Sequence, residues 1–363
     1  MKTMKAPTFK SVLLLFLIQI LVVTAAVSAP DEFSKSLHKE FNADQNTLLF
    51  IENKFGDVDI NNWDKNQVVI DVAISVDHRN DDKAKELLEY IHVDISQEGN
   101  TIKAITTIDS KFSKWNFTFS DTKKEFSIDY DIKIPKNIKL DLENKYGNVF
   151  INEIYGHALV DVKYGNIKIN KIIRGNKKPF SEVSLGYSNG KIDECEWLNV
   201  TLKYSKLEIE QSKALIAVTK YSKLYVDQGS SIVCESKYDN YKIGNISNFV
   251  GTAGYTELEF KEVGKLLEVD NRYGGISVDY IPKSFEKIDI DNEYGGIKLG
   301  IDTNASYQIK GYAKYANIDY PDKGKVNRIK ESNSLSVEGT VGDDNNTKSK
   351  IYIHTKYGNV KLR

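Results

Sequence analysis

The 363-residue chain is poor in cysteine, the residue that forms disulfides and many metal sites. It contains only two cysteines, Cys195 and Cys234, which excludes a disulfide-rich scaffold and a four-cysteine zinc site. Cys195 follows Tyr187 at offset +8 and Cys234 follows Tyr221 at offset +13, and these two tyrosines mark equivalent positions of a repeat. Because the cysteines therefore occupy different registers, we predict two buried free thiols and no disulfide.

An excess of charge of either sign is also missing. The chain has 50 lysine and arginine residues against 51 aspartate and glutamate residues. Proteins that bind nucleic acid or anionic membrane surfaces depend on an excess of positive charge. The balance argues against both as partners.

Recognisable catalytic and ligand-binding motifs are absent from the sequence. The histidines are scattered without a His-Glu-x-x-His spacing, and there is no Gly-x-Ser-x-Gly elbow and no phosphate-binding glycine loop. We therefore predict no catalytic, metal-binding or cofactor-binding residues and no cofactor. The five histidines are His38, His78, His92, His157 and His354.

The densest carboxylate groups leave one alternative open. They are Asp289 with Asp291, and Asp193-Glu194 with Glu196. Stacked carboxylates can hold calcium or cleave glycosidic bonds, so the alternative is a polysaccharide-binding or polysaccharide-cleaving β-helix enzyme. Acids that alternate along the outer face of a strand are usually only solvated, and we favour that interpretation.

What the chain does have is an internal repeat, in which an aromatic residue, a short turn and an apolar alternation recur. Residues 146–151 (YGNVFI) and 204–209 (YSKLEI) are two clear copies. The aromatic residue recurs at every seventeenth position from Tyr187 to Tyr255, and at slightly longer intervals elsewhere between Tyr146 and Tyr315. The twelve aromatic residues, numbered here as position zero of each copy, are Phe55, Tyr146, Tyr164, Tyr187, Tyr204, Tyr221, Tyr238, Tyr255, Tyr273, Tyr294, Tyr315 and Tyr357.

The apolar positions of each copy predict two strands joined by a corner. Positions +3 and +5, such as Leu207 and Ile209, and positions −4 and −2, such as Val200 and Leu202, are apolar or small in most copies. Alternation with period two is typical of half-buried strands. The parity shifts across the residues after position zero, so we predict a corner there. Position zero shares the parity of −2 and −4, and we expect its ring to be buried.

A repeat of about 17 residues leaves room for two strands of about five residues and a return loop. Such a unit is one turn of a solenoid, in which each strand pairs in parallel with its equivalent in the next turn. The sequence therefore predicts an all-β parallel β-helix, or β-solenoid, with repeats of about 17–21 residues and one short N-terminal helix.

Stacking in register lines up like residues from successive turns. We expect the aromatic residues of position zero to form a ladder. We also expect Asn144, Asn271 and Asn292 at position −2 to stack their amides in a short hydrogen-bonded ladder.

Position −1 is basic in most copies and faces outward by parity. One interpretation is a binding stripe for an acidic polymer. The other is a solvated row that discourages wrong lateral pairing and covers the aromatic rings with its aliphatic stems. We favour the solvated row, because acidic residues lie nearby. The candidate stripe consists of Lys145, Lys163, Lys203, Lys220, Lys237 and Arg272.

The N terminus is typical of an export signal. Three lysines precede an apolar run over residues 12–23, and small residues follow it. We predict a cleaved signal peptide over residues 1–29, no membrane span afterwards, and a periplasmic, cell-surface or secreted location. An N-terminal β region with a helix, residues 30–135, is expected to cap the solenoid repeats of residues 136–363.

Within residues 30–135, a helix is predicted from Asn80-Asp81-Asp82 to about His92, with Leu87 on its apolar side. Farther on, Trp115, Phe117 and Phe119 alternate with polar residues. An exposed aromatic face there suits stacking on sugar rings, but alternation favours burial against the sheet.

At the other end, the chain stops at Arg363, shortly after a complete repeat, and no polar terminal segment follows. We therefore expect the last turn to leave an unpaired parallel edge. Such an edge suggests end-to-end self-association.

The recurring Lys-Tyr-Gly-Asn-apolar-x-apolar unit, the export signal and the helix-bearing N-terminal portion resemble the putative-adhesin family of β-strand-repeat cell-envelope proteins. The resemblance covers residues 46–363 and implies a β-solenoid fold, but it assigns no ligand-binding residues. It implies an exported, non-enzymatic protein that binds an unidentified cell-envelope, glycan or protein ligand. A structural role in the envelope, without an external ligand, is a further hypothesis.

Overall fold

The computed structural model describes residues 33–78, 80–111 and 126–363. The predicted signal peptide and the aromatic alternation at Trp115, Phe117 and Phe119 lie outside these residues. The described chain contains 26 strands, joined in one mostly parallel sheet system, and a single helix near the N-terminal end. The predicted all-β fold class is confirmed.

The N-terminal part contains seven strands and the helix. They are β1 (Phe33–Asn42), β2 (Leu48–Lys54), β3 (Val58–Asn62), β4 (Gln67–Val76), α1 (Asp81–Glu89), β5 (Ile91–Glu98), β6 (Thr101–Ile108) and β7 (Phe126–Ile134). The helix begins as predicted, because the Asn80 side chain accepts a hydrogen bond from the backbone N–H of Lys83 at 3.0 Å.

The middle of the molecule consists of ten strands. They are β8 (Lys139–Lys145), β9 (Val149–Ile154), β10 (Ala158–Lys163), β11 (Asn166–Ile172), β12 (Ser181–Gly186), β13 (Asn189–Lys203), β14 (Lys206–Lys220), β15 (Lys223–Lys237), β16 (Asn240–Gly254) and β17 (Glu257–Arg272).

Nine strands complete the chain. They are β18 (Ile276–Ile281), β19 (Lys287–Glu293), β20 (Ile297–Ile301), β21 (Tyr307–Lys314), β22 (Ile318–Asp319), β23 (Gly324–Lys330), β24 (Ser334–Val341), β25 (Lys350–Lys356) and β26 (Val360–Leu362).

Each turn has a leading segment before its corner and a trailing segment after it. Leading segments pair in parallel with leading segments, and trailing with trailing, so that Leu207 lies beside Leu224 and Ile209 beside Val226. In the middle, β13 to β16 each run for 15 residues. Each of them supplies the trailing segment of one turn and the leading segment of the next. The apolar positions of both segments point into one continuous core.

The turns at the N-terminal end do not follow sequence order. β2 lies between β6 and β8, and β3 lies between β7 and β9. Antiparallel strands cover the outer edges, with β5 on β6, and with β4 on β7 followed by β1. Helix α1 contacts β1, β4 and β5. The turn at Phe55 is therefore the second from this end.

The expectation that the last turn of the sequence leaves an unpaired parallel edge is wrong. β25 pairs with β19 on one side and β21 on the other, and β26 pairs with β20 and β22. Beyond β21, β24 and then β23 continue the sheet in antiparallel fashion. Because residues 350–362 have partners on both sides, the reason for expecting self-association through them disappears.

Both cysteines are free and buried, as predicted. Burial raises the pKa of each thiol to about 12, so neither is a reactive thiolate near neutral pH. In the described part of the chain no helix is both long and apolar enough to cross a bilayer. The division of the chain at residues 135 and 136 stays a prediction.

Candidate functional site

The corners are built by the aromatic residues themselves. All twelve residues at position zero have positive φ, between 52° and 65°, a region that residues other than glycine rarely adopt. Their backbone N–H groups each donate to a carbonyl oxygen of the adjacent turn or loop at 2.6–3.1 Å. The corner therefore continues the hydrogen bonding of the sheet while the chain changes direction.

The prediction that these rings are buried is wrong. The eleven corner tyrosines are 39–55% exposed. A left-handed residue breaks the alternation of a strand, so position zero does not point to the same side as −2 and −4 despite its parity. The sequence of a single copy does not reveal the direction of this side chain, because the apolar pattern is the same for a buried leucine and an exposed tyrosine at position zero.

The rings form a continuous stack of twelve, which we call the tyrosine ladder. Neighbouring ring centroids are 4.6–5.2 Å apart with interplanar angles of 1–20°. The spacing matches the distance between sheet strands, about 4.8 Å. Each contact contributes about 1 kcal/mol, which offsets part of the roughly 1–2 kcal/mol that a left-handed residue costs.

Stacking decides which part of each tyrosine a ligand can reach. Inside the ladder both faces of a ring are covered by its neighbours, and at one end Phe126 packs on Phe55 with centroids 5.2 Å apart. Except at Tyr315, the other end of the ladder, which has one stacking partner among the described residues, the exposed parts are ring edges and phenol hydroxyls. The ladder is thus suited to a row of hydrogen bonds and edge contacts, not to stacking of sugar rings on open faces.

The candidate basic stripe runs beside the ladder. Its members stand in register across neighbouring leading segments: Lys145 beside Lys163, and Lys203 beside Lys220, which is beside Lys237. Gly186 and Gly254 interrupt it. The Nζ atoms of Lys220 and Lys237 lie 5.4 and 5.6 Å from the ring centroids of the next residues, Tyr221 and Tyr238, so their charge lies close to the ladder.

Ion pairing divides the stripe into two kinds of residue. Lys163 is paired with Asp161 at 2.9 Å, and this hydrogen bond raises the pKa of Lys163. The exposed residues Lys203, Lys220 and Lys237 make no ion pair with any residue of the described ranges. Lys145 and Arg272 also make no ion pair among the described residues, but only Lys203, Lys220 and Lys237 form an uninterrupted row of three.

A column of small polar residues lies under the central part of the ladder, at position +1. The backbone N–H of Ser188 donates to Oγ of Ser205, and that of Ser205 donates to Oγ of Ser222, both at 3.1 Å. The N–H of Ser222 donates to the carboxylate of Asp239 at 2.6 Å, and Asp239 N–H donates to Thr256. All five side chains are buried, so these bonds fix the corners from inside.

The expected amide ladder is not formed, although the asparagines are buried and Asn271 and Asn292 are in register. Nδ2 of Asn144, Asn271 and Asn292 donates instead to the carbonyl oxygens of glycines at position +1: Gly56, Gly274 and Gly295, at 2.6–3.2 Å. The amides bond to the corner carbonyls because the left-handed turn brings these oxygens close to position −2. A signal was present in the sequence, since asparagine at −2 and glycine at +1 recur together.

The carboxylate groups named from the sequence are held by basic partners. Asp193 contacts Lys168, and Glu194 lies 3.2 Å from Lys171. Glu196 bonds to Lys213 and to the N–H of Gly175, and these bonds lower the pKa of Glu196. A carboxylate held in this way is a poor proton donor at neutral pH. No group of three metal-ligating side chains occurs within the described ranges.

Comparison with known proteins gives similarity in structure alone. No protein-family model matches the chain, and no curated protein matches its sequence. A putative cell adhesion protein from Clostridium sporogenes is 8% identical, with 91% of this chain and 99% of that chain covered and a TM-score of 0.20. A putative adhesin from Bacteroides fragilis is 11% identical, with 91% and 97% covered and a TM-score of 0.33.

A putative adhesin from Parabacteroides merdae is 11% identical, with 73% of this chain and 96% of that chain covered and a TM-score of 0.31. The names of these structures match the family that the repeat resembles. Likeness at identities of 8–11% says nothing of what this chain binds.

Proposed function

We propose that the protein is an exported, non-enzymatic binding protein that holds an anionic polymer of the cell envelope or its surroundings along the tyrosine ladder. The observation that supports this most is the row of Lys203, Lys220 and Lys237, which are exposed, in register and without ion pairs among the described residues. The hydroxyls of the adjacent tyrosines supply hydrogen bonds beside this charge.

The geometry favours a polymer over a compact ligand. Charges and hydroxyls repeat at the strand spacing of about 4.8 Å, so a ligand with regularly spaced acidic groups meets several of them at once. Each exposed contact is weak, about 0.5 kcal/mol, and affinity then comes from many contacts along one chain. This proposal prefers the binding-stripe interpretation of position −1 over the solvated row.

The test uses a polymer with and without charge. The purified protein is titrated with polygalacturonate and with its methyl ester at low ionic strength, with and without calcium. We expect binding to the acid form alone, weakened by salt because exposed charges are screened. Equal binding to the neutral ester would contradict an electrostatic role for the stripe.

Matched variants locate the binding surface. Lys203→Gln, Lys220→Gln and Lys237→Gln together are compared with a control triple that removes the same charge from trailing segments, Lys223→Gln, Lys298→Gln and Lys361→Gln. We expect a roughly tenfold loss of affinity for the stripe triple, since three contacts of about 0.5 kcal/mol add to about 1.5 kcal/mol, and about 1.4 kcal/mol corresponds to tenfold. Similar losses in both triples would show attraction to overall charge only.

Heparin and poly(glycerol phosphate) extend the titration to sulfated and phosphate polymers. Failure of all three anionic polymers to bind would refute the proposed function. Export is tested separately, by fractionating cells that produce the full chain.

A further inference from the structure

The outer face of the leading segments is concave at the C-terminal end of the solenoid. There β19, β25 and β21 meet the antiparallel strands β24 and β23, and together they line a cavity of about 460 Å³. This volume is within the range of small-molecule sites, about 300–1,000 Å³. We call it the C-terminal cleft.

Register places the lining side chains in two columns of five. Residues beside one another on neighbouring strands are in the same column, and the two columns are two residues apart along each strand, on one face. One column is Asp289, Tyr352, Lys310, Glu338 and Asn327, and the other is Asp291, His354, Tyr312, Ser336 and Ile329.

Two of the three carboxylates of the C-terminal cleft have a lysine partner, and the third contacts a histidine. Asp289 is 2.8 Å from Lys287, Asp291 is 3.2 Å from His354, and Lys310 is 3.8 Å from Glu338. These side chains still have lone pairs and N–H groups that face the cavity side of the sheet. The arrangement offers many hydrogen bonds but little net attraction for an anion.

Two tyrosines in the cleft differ from those of the tyrosine ladder. Tyr312 and Tyr352 lie on the outer face of the sheet, where no parallel ring from the described residues stacks on them. Tyr312 is 39% exposed and is tilted by 41° against His354. Lys287 lies 5.8 Å from the centroid of Tyr352. Lys287 lies over one side of the half-buried Tyr352, so a ligand is left the other side of that ring and a face of Tyr312.

We propose that the C-terminal cleft binds a neutral saccharide. The apolar face of a pyranose ring packs on the electron-rich face of Tyr352 or Tyr312. Its hydroxyl groups exchange hydrogen bonds with Asp289, Asp291 and Lys310, which are acceptors and donors at fixed spacing. An anionic sugar gains less, because three carboxylates line the cavity. This site is independent of the proposed function, which uses other residues.

The test is titration of the purified protein with four neutral tetrasaccharides: β-1,4-linked glucose, mannose, galactose and N-acetylglucosamine. Saturation-transfer NMR detects weak binding, and calorimetry measures any hit. We expect at least one to bind saturably. If none binds at about 10 mM, where even a site worth only about 3 kcal/mol is substantially occupied, the proposal is overturned.

Protein variants test whether a saccharide that binds does so in the cleft. Tyr352→Ala should weaken this binding about tenfold, the equivalent of about 1.4 kcal/mol for one aromatic contact, and Asp291→Asn should weaken it less. Tyr280→Ala, at an exposed tyrosine that bonds to Asp302, is the control and should change the affinity less than about twofold. Thermal unfolding of each variant checks the fold.

Unchanged binding by both Tyr352→Ala and Asp291→Asn would overturn the site. So would a clear preference for tetragalacturonate over all neutral tetrasaccharides. The triple variant at Lys203, Lys220 and Lys237 separates the two sites, because it should reduce binding of polygalacturonate and leave neutral saccharide binding unchanged.

Discussion

Ten of the twelve corners of the solenoid fall into two groups that satisfy the hydrogen bonds of the corner differently, and Tyr164 and Tyr315 belong to neither. In the central group, Tyr187 to Tyr255, the turns are all of the same length, and position +1 is serine, aspartate or threonine. In the flanking group, glycine at +1 goes with asparagine or threonine at −2; its corners are Phe55, Tyr146, Tyr273, Tyr294 and Tyr357.

Both groups keep the same backbone shape, with φ of position zero between 52° and 65°. In the central group the residue at +1 uses its own side chain, as when Oγ of Ser205 donates to the carbonyl oxygen of Lys203 at 2.8 Å. In the flanking group position +1 has no side chain, and the donor comes from −2. In these ten corners −2 and +1 therefore change together, although Tyr164 combines Gly165 at +1 with Val162 at −2. A tyrosine at position zero occurs in both groups.

The largest effect is expected where a glycine corner is given a side chain. A Cβ atom at Gly295 would lie 1.8 Å from the carbonyl oxygen of Gly274. Gly295→Ala should therefore lower the free energy of unfolding by about 3 kcal/mol or more, as measured by urea denaturation. Ser205→Ala is the control in the central group, and there we expect a loss of about 1 kcal/mol. Equal losses would remove the distinction between the two groups.

The next effect concerns the one carboxylate among the central corners. Asp239 is 7% exposed and accepts hydrogen bonds from the N–H of Ser222 and Lys237 and the hydroxyls of Thr219 and Ser236 at 2.6–2.8 Å. Asp239→Ala leaves these donors unsatisfied and should cost about 2–4 kcal/mol.

Asp239→Ser restores the residue type of the other central corners. It should recover more than half of the stability that Asp239→Ala loses, in the same denaturation experiment. If serine is no better than alanine, the column at +1 is not the interaction that holds the central corners.

A smaller effect is expected at position −2. Asn271 is fully buried and its Nδ2 donates to the carbonyl oxygens of Gly274 and Thr256 at 2.9 and 3.3 Å. Asn271→Leu removes both bonds and should cost about 1–2 kcal/mol. The reciprocal change, Leu202→Asn, places an amide beside a corner that already has its own donor and should also destabilise. A stabilising result for either variant in thermal unfolding would contradict the pairing of −2 with +1.

The smallest effect is expected at position zero. Tyr221→Gly relieves a left-handed backbone, worth about 1–2 kcal/mol, and removes two ring contacts of about 1 kcal/mol each. The two effects nearly cancel, and we expect a change in the free energy of unfolding within about 1 kcal/mol. Tyr273→Gly in the flanking group should behave alike. A loss above about 3 kcal/mol in either would show that the ladder, not the corner hydrogen bonds, holds the turns together.

Much of the fold could be predicted from this sequence, because the same pattern of apolar and corner residues recurs in each copy of the repeat. The alternation at Leu207 and Ile209 predicts the strands, and Asn80 predicts the start of α1. The outward direction of Tyr204 could not be predicted, since parity assumes an unbroken strand and only a left-handed φ breaks it. The position of Tyr357 between Tyr294 and Tyr315 could not be predicted either, because every turn presents similar strand edges for pairing.

Less of the candidate sites could be predicted. The spacing indicates Lys203, Lys220 and Lys237, but their lack of ion pairs among the described residues depends on side-chain positions in neighbouring turns. Asp289 and Asp291 are recognisable in the sequence only as a pair of carboxylates. The tyrosines beside them come from later strands, which are brought there only by the insertion of β25 between β19 and β21.

That insertion, and its counterpart at Phe55, constrain the order in which the chain can fold. A central turn closes within a single short repeat, so it can form and extend while synthesis proceeds. The ring of Phe55 instead stacks on Tyr146, which is synthesised much later. Residues 350–362 must insert between segments that were made before them. Folding should therefore begin in the middle and finish at both ends. A newly made chain should be most prone to aggregation while the strands of its end turns are still unpaired.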